Sequence, residues 1–391
     1  MDSALEVFLS MKEKSTVTWN SILVGFSSKP GNLKEAEDLF DKIPEPDTVS
    51  YNVMLACYFR NADVGAAKDF YDRIPVKDTA SWNTIISGLS RNGRMHEAKE
   101  LFDIMPIRND VTWNVMISGY VENGDMELAL ELFGKADVKG VVAWTSIITG
   151  YMRCGKVELA ENIFHKWWTK IWLCRKWQRR GRSKTFQENV GNRSTWNAMI
   201  SGYAQHGLSQ NALDLFNEMR EKGTKPDWIT FVGVLSACNH AGLVELGICY
   251  FDKMQKDYGV RVKPDHYTCM IDLLGRAGKF TEVMDMIKKM PYEPHSAIYG
   301  TLLGACRVHK NLEIAEFAAK NLLNLDPNNP AAYVQLANVY AVNKKWGSVS
   351  RVRKLMKENR AVKTPGYSWI ELMSLDREIG FIPNWSSYTR N

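Results

Sequence analysis

The sequence predicts an all-α chain, a solenoid of stacked helix hairpins, and three observations carry that prediction. An aromatic residue followed by Asn or Thr returns at a near-constant interval, each block shows helical periodicity twice, and no block alternates apolar and polar residues as a half-buried strand would. The dipeptides are Trp19-Asn20, Tyr51-Asn52, Trp82-Asn83, Trp113-Asn114, Trp144-Thr145 and Trp196-Asn197, at steps of 32, 31, 31, 31 and 52 residues. Such a period marks an array in which one supersecondary unit is stacked on copies of itself.

The block at residues 81–106 shows how each unit is built. Trp82, Ile85, Ile86 and Leu89 fall at i, i+3, i+4 and i+7, one face of a first helix. Asn92-Gly93 supplies the left-handed residue that ends it. A second helix places Met95, Ala98, Leu101, Phe102 and Met105 on one stripe, and Pro106 stops it.

Length and composition agree with an array. A chain of 391 residues, 45% hydrophobic and 24% charged, is too long for one ordinary core and is neither disordered, collagen-like nor disulfide-dense. The seven cysteines are scattered and never spaced C-x-x-C, so neither a disulfide framework nor a zinc pair is expected and a reducing interior is. No apolar stretch approaches the roughly 18–20 residues that cross a bilayer. The chain opens on a helical pattern with no signal or transit peptide, so the expectation is a cytosolic protein or one lacking its natural amino terminus.

The recurring residues read W/Y-N-x-x-I-S-G-Y, then N-G, then E-A-x-x-L-F-D-x-M-P. They resemble the pentatricopeptide repeat family, in particular the plant subgroup that mixes long, short and standard repeats. The W-x-x-L-G-x-x-Y pattern of tetratricopeptide arrays is not carried. The resemblance implies a right-handed α-solenoid of helix-turn-helix repeats. It divides the chain into a partial repeat at 1–15, repeats at 16–165, an irregular basic and Trp-rich insertion at 166–192, repeats of standard, long and short type at 193–295, E-like helical motifs at 296–372 and an atypical tail at 373–391.

The resemblance also implies binding of single-stranded RNA, one base per repeat, read by the residue after the aromatic together with the last residue of the repeat. Asparagine suits the first position because its amide both donates and accepts, matching the Watson–Crick edge of a pyrimidine. Carried onto this sequence, the pairs are Asn20 with Asp47, Asn52 with Asp78, Asn83 with Asn109, Asn114 with Gly140, Thr145 with Asn192 across the long step, and Asn197 with Asp227. At the second position of the repeat, Val17, Val49, Val111 and Val142 are implied to clamp the base faces. In the family Asn with Asp resembles a uridine reader, Asn with Asn favours cytidine and Thr with Asn favours adenosine. The implied core is U-U-(C/U)-N-A-U, 5′ to 3′. Its fourth letter is weakest because Gly140 has no side chain to orient Asn114; the long and short variants, with Val232 and Met270 at the reading position, add little specificity.

Each pair also has a purely structural reading, with Asn bonded inside the first turn and the terminal Asp capping the next helix. Recurrence of Asn at one position in five blocks favours the reading role, since propensity alone would place Ala, Leu or Glu there.

Relatives of this architecture often continue into a cytidine-deaminase-like DYW domain, whose chemistry needs H-x-E with P-C-x-x-C. Neither pattern occurs here; His96-Glu97 is an adjacent pair on an outer helix, and no phosphate loop or G-x-S-x-G elbow is found. The expectation is a non-catalytic RNA-binding specificity factor for organellar C-to-U editing, with no cofactor and no metal. It would recruit a trans-acting deaminase or editing-complex protein through residues 296–372, in a mitochondrion or alternatively a chloroplast, with no membrane partner. The competing readings are a helical scaffold that binds proteins only and an inactive truncated family member.

The net charge of +6 is local in origin. Between Lys166 and Arg193 lie nine Lys or Arg residues and one acid, Glu188, which leaves 41 basic against 43 acidic residues elsewhere. This stretch carries Trp167, Trp168, Trp172 and Trp177 and reads either as a basic surface that stacks bases or, the favoured alternative, as a rearranged coding segment without selected function. Residues 373–391 also leave the pattern, and with the absent transit peptide they point to an incomplete family member.

Overall fold

The computed structural model describes residues 6–8, 10–11, 13–28, 31–136, 140–178, 191–359 and 361, and every regular element among them is a helix. The chain divides into two units, Met1–Pro294 and His295–Asn391. Among the described residues the first holds eight hairpins. They are α1 (Thr16–Ser27) with α2 (Leu33–Phe40), α3 (Thr48–Arg60) with α4 (Val64–Asp72), α5 (Thr79–Arg91) with α6 (Met95–Ile104), and α7 (Asp110–Glu122) with α8 (Met126–Lys135). Then follow α9 (Val141–Arg153) with α10 (Val157–Gln178), α11 (Gly191–Gln205) with α12 (Ser209–Glu221), α13 (Trp228–Ala241) with α14 (Val244–Lys256), and α15 (Pro264–Arg276) with α16 (Phe280–Lys289).

The odd-numbered helices form one continuous layer, each touching the next. Each even-numbered helix from α2 to α14 packs on the odd-numbered, inner helix of its own hairpin and on the inner helix that follows, so a core runs unbroken between the layers. The stripe read from residues 81–106 lies in that core, with Ile85, Ile86, Leu89, Ala98, Phe102 and Met105 buried. Gly93, at φ +75°, turns the chain after α5 in a conformation that a side chain would strain.

One aromatic contact repeats at each junction. The ring on an outer helix meets, edge to face, the ring that opens the next dipeptide: Phe40–Tyr51 at 5.2 Å between centroids, Tyr71–Trp82 at 5.8 Å, Phe102–Trp113 at 5.2 Å, Phe133–Trp144 at 4.8 Å and Phe164–Trp196 at 5.0 Å. Such pairs contribute about 0.5–1.5 kcal/mol beyond the area they bury. The last of them spans the 52-residue step, so the register survives the insertion. Helix α10 runs past the usual stop to Gln178, and its added turn brings Trp168 to 5.1 Å from Trp196 and buries Trp167 completely. Trp167 is therefore core, not the base-stacking surface that one reading of this stretch expected; the side chains of Trp172 and Trp177 lie outside the described residues.

Inner helices approach closely where the repeat places glycine. A Cβ on Gly88 would lie 2.1 Å from the buried Phe59 ring of α3. Polar side chains at the ends of these helices reach back one repeat: Arg60 donates to the Ser27 carbonyl at 2.7 Å and Asn123 Nδ2 to that of Ser90 at 3.0 Å.

The second unit repeats the hairpin plan with α17 (Ser296–His309), α18 (Leu312–Leu325), α19 (Pro330–Val342) and α20 (Trp346–Glu358). In it Tyr340 donates to Glu316 at 2.8 Å, from an inner helix to the outer helix before it. Tyr58 to Glu37 and Tyr203 to Glu161 make the same link in the first unit. No described helix is long and apolar enough to cross a membrane.

Gly88→Ala is expected to lower stability. Overpacking against Phe59 costs about 1–3 kcal/mol, while the gain in helix propensity returns about 1. A lower urea midpoint measures the loss, whereas Gly65→Ala, whose Cβ would meet Asp63 Oδ1 at an ordinary 3.9 Å, should hold or raise the midpoint.

Candidate nucleic-acid interface

Helices α3, α5, α7 and α13 each begin on a capping side chain, and that cap is the last residue of the preceding repeat. The Oδ1 of Asp47, Asp78, Asn109 and Asp227 accepts the backbone amide of Ser50, Ser81, Thr112 and Thr230, three residues on. The cap leaves one acceptor atom near the preceding inner helix, where the repeat places asparagine. Asn20 Nδ2 donates to Asp47 Oδ1 at 2.9 Å and Asn197 Nδ2 to Asp227 Oδ1 at 3.0 Å. Ser50 and Thr230 close each motif by donating to the asparagine Oδ1, both at 2.6 Å. Asn20 and Asn197 are accordingly 7% and 5% exposed.

The other pairs vary on this plan. Asn52 donates to Asp78, but its Oδ1, like that of Asn83, is buried without a hydrogen-bond partner. Asn109 accepts from Thr112 Oγ1 at 3.0 Å. Thr145 Oγ1 lies 3.0 Å from Thr195 Oγ1. Thr195 holds the place that Ser50 and Thr230 hold elsewhere, three residues after Asn192, whose side chain is outside the described residues. Asn114 sits over Gly140 with neither an acidic cap nor a hydroxyl opposite it, because Ala143 replaces the Ser or Thr.

Asn83, Asn114 and Asn197 open on clefts between successive inner helices. One, of 760 Å³, is lined by Asn83 and Asn109, by Ala80 and Val111 at the second positions of two consecutive helices, and by Arg60 and Arg91. The next is lined by Asn114 with Val111 and Val142, and another by Asn197 with Ser194 and Ile229. Val17, Val49, Val111 and Val142 are between 53 and 72% exposed, which is unusual for a β-branched residue at one fixed helical position.

Repeat models match along most of this surface. Those described as a PPR repeat match residues 49–78, 80–109, 111–141, 142–170, 229–258 and 265–293, one described as the PPR repeat family matches 192–240, and the E motif matches 309–371. The chain belongs to the pentatricopeptide repeat family. A pentatricopeptide repeat-containing protein of Arabidopsis thaliana is 52% identical over 182 residues, covering 46% of this chain and 26% of the relative. A mitochondrial one from the same plant is 51% identical over 178 residues, 46% and 28% of the two chains. A chloroplastic one is 46% identical over 187 residues, 48% and 22%. The aligned segments thus span about a quarter of these relatives' length. Among solved structures, the pentatricopeptide repeat protein PPR10 in complex with an 18-nucleotide psaJ RNA element has the same fold, with a TM-score of 0.57, 17% identity and coverage of 92% of this chain and 53% of that one.

The repeat register corrects one position. Counting from the cap, Val232 and Thr268 stand fifth in α13 and α15, where Asn52 stands in α3; Met270 is buried in the core and faces no cleft. Sequence spacing misplaced it because α15 is capped by Lys263 through His266, a pair unlike the Asp and Ser or Thr of the other repeats. Ala80, Ile229, Arg60 and Arg91 also line the clefts and were not singled out from sequence; their common distances from the caps were the available signal. No group of three or more metal-ligating side chains occurs among the described residues.

The capping carboxylates are held ionised. Ser50's backbone amide lowers Asp47 most, with the Asn20 amide adding to it. At Asp78 and Asp227 desolvation pushes upward, but the amides of Ser81 and Asn52, and of Thr230 and Asn197 with the charge of Arg193, outweigh it and keep both below the ordinary 3.8. A carboxyl lowered on folding stabilises the fold fully above its unfolded value, and that contribution is lost as pH falls through the folded value. The urea midpoint of the wild type should hold from pH 7 to about 5 and fall below about 4, with a shallower fall in Asp227→Asn. Parallel profiles would show that Asp227 carries none of the dependence.

Proposed function

We propose that this pentatricopeptide repeat protein binds single-stranded RNA in sequence-dependent fashion along its inner helices, with core U-U-(C/U)-N-A-U. The observation that carries the reading is the recurring cleft, in which an asparagine amide lies between exposed second-position residues of two successive helices. A planar base fits between such residues, and the amide meets its Watson–Crick edge. A carboxylate that takes one N–H of the amide leaves the other N–H and a carbonyl lone pair for the base, so the cap sets which edge is offered. Arg60 and Arg91 lie beside the 760 Å³ cleft, where they neutralise phosphates.

The finer role we propose is that of an organellar specificity factor for C-to-U editing, with the unit containing the E motif recruiting a catalytic partner and this chain supplying no reacting group. Relatives in both compartments support an organellar location, and within it we propose a mitochondrion, with a chloroplast as the alternative.

Binding to a short RNA library tests the reading. Replacing either of the first two uridines should weaken binding about tenfold, and a duplex of the same sequence should not compete. The double variant Asn197→Thr with Asp227→Asn should move the sixth letter from uridine towards adenosine by a similar factor. Binding indifferent to sequence, or none, overturns the proposal.

A further inference from the structure

The hairpin of α7 and α8 departs from its neighbours at three places that face the cleft. Its asparagine, Asn114, lacks the cap acceptor because residue 140 is glycine, and lacks the closing hydroxyl because residue 143 is alanine. No hydrogen bond of its side chain occurs among the described residues, and the nearest approach to the 140 position is 3.5 Å, from Nδ2 to where a Cβ would stand. The third departure is one of charge. Thirteen residues after the cap, where α3, α5 and α9 end in the exposed Arg60, Arg91 and Arg153, α7 ends in the exposed Glu122, which lines the same cleft as Asn114.

These departures act together. Asn20 and Asn197, pinned on both atoms, offer one edge, and Asn52 and Asn83 still face a capping Asp or Asn, whereas Asn114, facing glycine, turns over and offers donor or acceptor to any base. A carboxylate in place of a guanidinium weakens the hold on the phosphate that would follow the base: the cleft of Asn83 is lined by Arg60 and Arg91, that of Asn114 by Arg91 and Glu122. We infer that this hairpin is an unread spacer that splits the RNA site into two blocks, three nucleotides read by α1, α3 and α5 and two read by α9 and α11. The nucleotide between the blocks is held loosely by its base and, with Arg91 opposed by Glu122 in the same cleft, by its phosphate as well. The strand leaves the groove there, so the site accepts any base and also one additional nucleotide at that point.

This inference rests on the proposed RNA binding, and the test separates the two. Affinity of the full chain is measured for the core RNA, for all four bases at the first, second and fourth letters, and for single-nucleotide insertions beside the second and beside the fourth. At the fourth letter all bases should bind within about threefold, and an insertion there should cost no more than that; at the second, substitution or insertion should cost about tenfold or more. Gly140→Asp with Ala143→Ser rebuilds the motif. The 140 position accepts a side chain at ordinary contact distance, and the variant should acquire a preference for uridine at the fourth letter of about fivefold or more. Glu122→Arg should tighten binding and steepen its salt dependence by about 0.7 in log–log slope. A fourth letter as selective as the second, or an insertion as harmful there as elsewhere, overturns the spacer while leaving RNA binding intact. Absence of binding to every strand overturns both.

Discussion

The edge-to-face contact between an outer-helix ring and the aromatic that opens the next inner helix sets the register of the whole first unit. An array of this kind has no central core to define position; each repeat knows only its neighbours, and stability is a sum of repeat and interface terms. A specific ring contact at every junction therefore fixes how far each hairpin is displaced from the last. The caps, the asparagines and the clefts keep constant relative positions only because that displacement is constant. Its persistence from Phe164 to Trp196, across 52 residues in place of 31 or 32, explains why Thr145 still meets the first turn of α11.

The same economy governs the caps. A structural and a recognition reading of the terminal Asp residues look like alternatives, yet the geometry makes them one arrangement. Asp47 and Asp227 each satisfy an orphan amide at a helix start and hold the asparagine of the preceding repeat with the same oxygen. Folding thus prepays the orientation of the amide, and little rotamer entropy is left to lose when a ligand arrives. Because the carboxylate is already engaged and ionised, it also gives the buried amide a fixed polarity.

Charge is distributed on a finer scale than the total suggests. The surplus of Lys and Arg over acids is concentrated between Lys166 and Arg193, yet the guanidinium groups beside the clefts, Arg60 and Arg91, belong to the regular repeats. Position relative to the caps, not net charge, is what places a cation beside a cleft. The second unit repeats the hairpin plan and its Tyr–Glu link, but carries Val308 and Val342 thirteen residues after its caps, both exposed and neither basic.

The all-helical class, the hairpin unit, the family and the places of most asparagine and cap pairs were legible in the sequence, because a 31-residue period writes each of these features several times over. Val17, Val49, Val111 and Val142 were legible for the same reason, and the structure leaves all four exposed on the inner helices. Features that occur once were not legible. The spacing around α15 placed Met270 fifth from the cap, where the cap through His266 puts Thr268, and neither reading of the Trp-rich stretch placed Trp167 in the core, where the extended α10 buries it. Only the tertiary structure decided that cap and recognition residue share one oxygen, which second-position residues flank which cleft, and that Glu122 stands where its neighbours place arginine. Those are relations between consecutive hairpins, set by how one repeat stacks on the next, and a linear pattern records the residues without the displacement that brings them together.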